Sequence, residues 1–365
     1  MVEMNLTEPH SEGFRHDLLS LRRRMLGLSQ TELAERAGIS QAVLSRYEQG
    51  LKVMPREMMT RLASALNCAP SFFEQAEREY GAPMSAHPMY RKQASVGLKV
   101  LDRTIAEFNI RIGHARTLLR ELDFEPELVL PRYEPDEFGD DPAQVASAVR
   151  RAWYLPAGPV KSVMDCLERA GCIVMMCSMA QAKIDAATYH VPGMPPMIFV
   201  NDALLGDRLR FTLAHELGHL IMHRYPIPDM EHQADVFASA FLMPAEDIGP
   251  ELEGLTLAKA SYMKPVWKVS MAALIYRATE LGKIDKHKGQ WLWRTISAKG
   301  WRIREPAAVD VPKETPTLVK AMFNHAVGDG NLSPDDLGRL LHMTYSELQA
   351  LYGLSPQKVE LRRVK

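Results

Sequence analysis

Phe211-Thr212-Leu213-Ala214-His215-Glu216-Leu217-Gly218-His219-Leu220-Ile221-Met222-His223, followed after a proline-broken turn by Glu231-His232-Gln233-Ala234-Asp235, is the stretch on which the reading of this chain rests. Two histidines four apart on a helix stand about 6 Å apart along its axis and on nearly the same face, so both imidazoles can reach one zinc ion. Glu216, one position after the first histidine, projects beside such an ion without binding it, where it can take a proton from water. The pattern points to zinc hydrolysis.

A catalytic zinc takes three protein ligands and leaves a fourth position open, so one more donor is needed. Glu231 lies far enough past His219 for a turn and a second helix to bring it back. Tyr225-Pro226-Ile227-Pro228 cannot continue a helix, because each proline lacks an N–H and restricts the residue before it. A new helix is predicted from about Asp229 through Leu242 to Pro244, and on it Glu231 and Asp235 share a face. With Glu231 as the third ligand, Asp235 can accept the outer N–H of a ligating histidine and fix its tautomer. His223 continues the histidine spacing but lies about 12 Å along the axis from His215, too far for the same ion. It reads as a helix-end histidine favouring the C-terminal dipole. His232 points about 100° away from Glu231 and is an outside alternative ligand. The later glycine and third histidine of the metzincin pattern are missing, which favours a glutamate in third place.

In order, spacing and flanks, Arg208-Leu209-Arg210-Phe211 through His223, with Glu231 through Ala238 and Phe241-Leu242-Met243-Pro244, resembles the ImmA/IrrE family of zinc-dependent peptidases. Pro196 through Asn201 fits that family's edge strand over the active-site helix. The helical pattern from Gly158 to Ala170, followed by Cys172 through Met176, fits its helix and first strand. The resemblance covers roughly residues 140 to 305. One departure is Asp235, where many relatives carry Asn; a hydrogen-bond acceptor is retained. The resemblance implies cleavage of a regulatory protein, often a DNA-bound repressor, after a stress or signal.

The first eighty residues carry a second pattern. Leu18, Leu19 and Leu21 open a helix closed by Gly27-Leu28-Ser29, and Ser29 with Glu32 forms a capping box for the next. A turn at Gly38 leads to Ser40, which caps Gln41-Ala42-Val43-Leu44-Ser45-Arg46-Tyr47-Glu48. A further helix from Arg56 to Leu66 and a last turn from Pro70 complete a helix-turn-helix with supporting helices. Gly27-Leu28-Ser29-Gln30-x-x-Leu33-Ala34 and Gly38-Ile39-Ser40-Gln41-x-x-Leu44-Ser45-x-Tyr47-Glu48-x-Gly50 resemble the XRE class of phage-repressor-like DNA-binding domains. Recognition helices of this kind present their N-terminal residues to base edges of double-stranded DNA, which points to Gln41, Ala42, Ser45 and Arg46. By the resemblance Gln30 holds a phosphate, with Gln49 or Lys52 holding another. Leu44 and Tyr47 read as core, and Glu48 as an internal partner for an arginine of the first helix.

Such a fold can also serve only as a protein–protein module, and charge helps to decide. Between residues 14 and 61 nine Lys and Arg face five acids, whereas the whole chain carries a net charge of −1. A basic patch on a near-neutral protein favours the DNA reading. With 365 residues, 46% hydrophobic and 24% charged, the chain can bury substantial cores in two or three domains. No stretch approaches the roughly 20 apolar residues of a membrane span, and the start, with Glu3, Glu8, His10 and Glu12, lacks a signal peptide's pattern. A soluble cytoplasmic protein without membrane partners is expected. Cys68, Cys166, Cys172 and Cys177 show no CxxC spacing and read as reduced residues.

The expected fold is mainly α with a small sheet (α+β): a five-helix DNA-binding domain over 1–80, a linker and long connecting helix over 81–140, a zincin-like domain over 141–248 and a helical region over 249–365. Breakers at 79–88 mark the linker. Leu98, Leu101, Ile105, Phe108, Ile112, Ala115 and Leu119 form the long helix's apolar stripe, which packs either on the peptidase domain or on a second copy in a homodimer. The loop over 126–142 holds Glu134, Asp136, Glu137, Asp140 and Asp141, read as solvated acids. A helical pattern over 266–282 resembles the family's C-terminal extension. Near the end, Ser333-Pro334-Asp335-Asp336 and Thr344-Tyr345-Ser346-Glu347 are helix starts, the second a capping box. That tail is too poor in positive charge for DNA contact and reads as a packing or partner-binding element.

Two functions follow. One is a DNA-tethered zinc peptidase in which His215, His219 and Glu231 hold Zn2+ and Glu216 moves the proton, acting on a protein substrate such as a repressor or toxin–antitoxin component, or on itself. The other is an antitoxin-like repressor whose zinc is structural or sensory. Glu216 favours the enzyme, because a structural site has no use for that carboxylate. Tyr189 and His190 are possible oxyanion donors that spacing alone does not assign.

Overall fold

The computed structural model describes residues 14–75, 79–81, 97–120, 122, 125–133, 138–139, 141–328 and 332–354. It is mainly helical with one three-stranded sheet, as the sequence predicts. The chain divides into two compact units.

The first unit begins with α1 (His16–Met25), α2 (Gln30–Ala37), α3 (Gln41–Glu48) and α4 (Arg56–Ala65), closed by a 3-10 turn over Pro70–Glu74. The Ser29 capping box forms: its hydroxyl accepts from Glu32 N at 3.2 Å and its own N–H donates to Glu32 Oε2 at 2.6 Å. Gly38 ends α2 at φ +64°, the left-handed region, and an added Cβ would stand 2.7 Å from the Arg61 guanidinium. The core is apolar: Leu19, Leu33, Leu44, Tyr47, Leu62, Leu66 and Phe73 are buried.

A long helix, α5 (Leu98–Leu119), joins this unit. Every residue from Phe108 to Ala115 is buried, so the helix lies inside the unit rather than presenting one stripe. The sequence left its partner open between the peptidase domain and a second copy. The structure instead sets α1 and the end of the chain against it.

That end comprises α14 (Leu318–Gly328), α15 (Pro334–Leu340) and α16 (Tyr345–Tyr352), which belong to the first unit from Val319 onward. The Ser333 capping box forms on α15, but Thr344 makes no side-chain cap on α16. Glu347 turns to Arg22 instead, accepting from Nη2 at 2.7 and 2.8 Å. Arg22 is wholly buried, and a buried charge left unpaired costs several kcal/mol against about 1 kcal/mol for a cap. Arg22 also donates to Leu66 O and Asn67 O. Ser71 Oγ meets His342 Nδ1 at 2.8 Å, and His114 Nδ1 meets the Tyr352 hydroxyl at 2.8 Å. Most of the connector read at 79–88 lies outside the described residues. Of the rest, Glu79 pairs with Arg24, and Tyr80 OH accepts from Arg116.

The second unit begins with α6 (Pro142–Ala152), whose N-cap is Asp141, the described member of the acidic loop. Glu134, Asp136, Glu137 and Asp140 lie outside the described residues. Next comes α7 (Val163–Arg169), which starts later than expected, after Ser162 in extended backbone whose hydroxyl caps it by accepting from Asp165 N. The strands β1 (Ile173–Cys177), β2 (Ala186–Tyr189) and β3 (Met197–Asn201) take the order β1-β3-β2. β3 runs parallel to β1 and antiparallel to β2, with Met197 opposite both Ile173 and Tyr189.

The strand expected at the edge, 196–201, therefore lies in the centre, and β1 and β2 are the edges. Met197-Ile198-Phe199-Val200 lacks the polar alternation of a half-exposed strand, and all five β3 residues are buried. In chain order β3 comes between β2 and the next helix, so Tyr189 sits one strand earlier than the strand that leads into that helix.

That helix, α8 (Gly206–Met222), packs on α7, β2 and β3. It is followed by α9 (Met230–Leu242), which lies between α8 and α6. Then come α10 (Ala245–Leu252), α11 (Leu257–Trp267), α12 (Met271–Glu280) and α13 (Lys286–Ala298). The pattern read over 266–282 is broken at Lys268, φ +55°. At Gly206 a Cβ would lie 2.1 Å from Val311 O, so the segment after α13 presses directly on the start of α8. From that segment Glu314 pairs with buried Arg210, and Glu305 joins Asp207 around Lys264 at 2.6 and 2.5 Å. The start of α8 is thus clamped by ion pairs as well as by apolar packing. Cys166 and Cys172 are buried, and burial pushes their thiols up to about 11 and about 12, as suits reduced core residues. Among the described residues no helix is long and apolar enough to cross a membrane.

Candidate metal centre and nucleic-acid face

α8 and α9 cross closely because Gly218 has no side chain: a Cβ there would stand 3.1 Å from the Phe237 ring and 3.3 Å from Ala234 Cα. This approach sets the first turn of α9 against the histidine face of α8. His215 Nε2 and His219 Nε2 face each other at 3.0 Å. Glu231 Oε2 lies 3.6 Å from the first and Oε1 3.4 Å from the second. Donors on a tetrahedral zinc with arms of 2.0–2.1 Å stand about 3.3 Å apart. The three residues offer ligand atoms all within 4.8 Å of one another, so they could hold one metal ion.

Two further observations fit a cation. Glu231 Oε1 is shielded from solvent yet makes no hydrogen bond. Burial works against charge on both His215 and Glu231, but their close neighbours win: Asp235 and Glu231 raise the His215 ring, and the His215 and His219 imidazoles lower the Glu231 carboxyl. The site therefore concentrates negative charge where the two imidazoles converge.

Around this cluster the other side chains divide sharply. Asp235 Oδ1 lies 2.9 Å from His215 Nδ1. His232 is exposed and makes no contact with the cluster among the hydrogen bonds and ion pairs described. His223, read from sequence as a helix-end residue, is 4% exposed. As α8 ends, it places its Nδ1 2.9 Å from His219 Nδ1, and its Nε2 lies 2.9 Å from Gln233 Oε1. Burial pushes the His223 ring down to about 4, leaving it neutral.

Glu216 points toward the sheet and is 4% exposed. The hydroxyl of Thr188, on edge strand β2, donates to its Oε2 at 2.5 Å. Sequence spacing missed this contact, because the two residues are 28 apart and meet only through sheet order. Of the two possible oxyanion donors, Tyr189 is buried edge-on against Phe199 at 5.7 Å, while His190 is exposed.

The helix-turn-helix presents Gln41, Ala42 and Arg46 as exposed side chains of α3, with Ser45 half-buried. Gln41 Nε2 donates to Gln30 Oε1 at 2.6 Å, and Gln30 Nε2 to Glu48 Oε2 at 2.7 Å. Glu48 also pairs with Arg23 at 2.6 Å, the internal partnership read from sequence, and Leu44 and Tyr47 are core. Gln49 Nε2 donates to Ser45 Oγ at 3.1 Å. Lys52 holds its ammonium 5.2 Å above the Tyr47 ring. Internal partners absorb part of the local basic excess: Arg15, Arg22, Arg23 and Arg24 each pair with a carboxylate. Arg36, Arg46, Lys52, Arg56 and Arg61 are exposed and carry what faces solvent.

Comparison with known families separates the same two regions. Residues 167–279 match the IrrE N-terminal-like domain of the M78 peptidases, and residues 19–73 match a helix-turn-helix family. No curated protein matches the chain. The first match spans both α8 and α9, and neither reaches α14, α15 or α16.

Proposed function

We propose, for a chain that joins an XRE-type helix-turn-helix to an ImmA/IrrE-like peptidase domain, the work of a cytoplasmic, DNA-tethered zinc endopeptidase that cuts a regulatory protein after a stress or signal. The observation that carries it is the convergence of His215, His219 and Glu231 with Glu216 buried alongside. A structural zinc site closes with four protein ligands. Three donors here, one of them a half-exposed glutamate, favour the catalytic reading over a structural or sensory one.

When bound at these three residues, zinc supplies Lewis-acid polarisation of the scissile carbonyl and lowers the pKa of water. The chain's own groups do the rest. Thr188 holds Glu216 Oε2, which leaves Oε1 to take the proton of the attacking water and hand it to the departing amine. Asp235 holds the His215 ring by its Nδ1, so that Nε2 keeps its lone pair for the ion. On the DNA side, Gln41, Ala42, Ser45 and Arg46 read bases, while Gln30, Gln49 and Lys52 hold phosphates.

Glu216→Gln removes the base and leaves every proposed ligand and DNA contact in place. Cells carrying it are expected to retain operator binding and zinc content but to lose a shortened regulator that wild-type cells accumulate under stress. If comparative proteomics finds no fragment specific to the wild type under any stress, the peptidase reading is wrong.

A further inference from the structure

We propose that His223 and Gln233 are positioning residues: they form a one-way hydrogen-bond relay that fixes His219 in the tautomer able to bind metal. The proposal rests on the reading of His215, His219 and Glu231 as metal ligands.

The argument is one of proton counting. Two imidazole nitrogens 2.9 Å apart cannot both donate or both accept, so His219 Nδ1 and His223 Nδ1 share a single proton. Which ring owns it is decided at the far end of the relay. Gln233 Oε1 has no proton and can only accept, so His223 Nε2, 2.9 Å away, must donate to it. With a metal held at His219 Nε2, His219 Nδ1 keeps the shared proton and donates it, so His223 Nδ1 is bare and the proton of that ring sits on Nε2, facing Gln233. This leaves the lone pair of His219 on Nε2, facing His215 and Glu231. Reversing any one bond reverses all of them and puts a proton on His219 Nε2, where a ligand atom is needed.

The two metal-facing histidines are thus held by different chemistry. His215 leans on a carboxylate, Asp235, which is well exposed. His219, 2% exposed, leans instead on the imidazole of His223, which is buried with it. The link from His223 to Gln233 needs the close pass of α8 over α9, because Gln233 lies on α9 two residues beyond Glu231. One short helical segment therefore supplies a ligand at 231, the end of the relay at 233 and the His215 partner at 235.

Partners of ligating histidines typically account for ten- to a hundredfold in metal affinity. The test is zinc affinity of the full chain, measured by chelator competition with zinc alone, with far-UV circular dichroism to check folding. His223→Phe keeps the ring and removes both nitrogens; Gln233→Leu removes the acceptor. Each is expected to weaken zinc binding about ten- to a hundredfold. Gln233→Glu, which can only accept, is expected to stay within a few-fold of wild type. Should His223→Phe fail to fold, Gln233→Leu at its half-buried position decides. Wild-type affinity in Gln233→Leu, or a Gln233→Glu variant as weak as Gln233→Leu, overturns the relay. A folded wild type that takes up no zinc overturns the metal reading and the relay together, which separates the two failures.

Discussion

Thr188 and Glu216 illustrate how a single hydrogen bond sets the working geometry of the site. The bond is short, buried and made to a carboxylate, a class that contributes about 1.5–3 kcal/mol. Thr188→Val keeps the shape of the side chain and removes the donor. It is expected to lower kcat on the regulator identified with Glu216→Gln by about ten- to a hundredfold while zinc content stays at the wild-type level. Steady-state kinetics and metal analysis of one preparation check both halves. The convergence of His215, His219 and Glu231 was legible in the sequence because helical periodicity alone sets the spacing of His215 and His219, and prolines 226 and 228 announced the second helix. Thr188 was not, since strand order decides which upstream residue meets Glu216. His223 does end its helix as read, but axial distance says only that it stands too far from His215, and nothing about a ring that touches His219 from behind.

α5 and α16 show the same limit for whole elements. An apolar stripe at helical spacing says that a helix packs and leaves open against what. Its polar residues carried the answer, as His114 is 4% exposed and bonded to Tyr352 on α16. Burial first, then the nearby Arg111 and Arg22, pushes the His114 ring down from 6.5 to about 3. Between those values the unfolded chain takes up a proton that the folded one refuses, so stability is full above pH 6.5 and falls on acidification. The expected slope is about 1.4 kcal/mol per pH unit below 6.5, with His342, also lowered by burial, adding in the same direction. Denaturant titrations from pH 7 to 4 on the wild type and His114→Gln check it: the variant is expected to show the shallower dependence, and parallel curves would remove His114 as the cause.

Across the whole molecule, the first unit gathers both early and late parts of the chain. Its helix-turn-helix depends on Glu347, over three hundred residues away, to neutralise Arg22 in the core. A chain ending at Leu318 keeps every proposed DNA contact but loses both the Arg22–Glu347 pair and the buried side chains of Phe323, Leu337, Leu341 and Leu348. Such a truncation is expected to melt at lower temperature and to bind operator DNA less tightly, read by circular dichroism and mobility shift. Unchanged stability would show that α14 to α16 are dispensable to the unit. Local spacing could not reveal this arrangement: Thr344 and Glu347 read as a self-contained cap, and only the buried arginine shows why the glutamate faces away.

Because residues from both sides of the second unit are interlocked in one core, a nick anywhere between 125 and 318 does not by itself set the two pieces adrift. The Arg22–Glu347 pair and the ring contact of His114 with Tyr352 act as a non-covalent staple across the break. A self-cut molecule would keep its native size on a gel-filtration column and reveal its scission only in detergent.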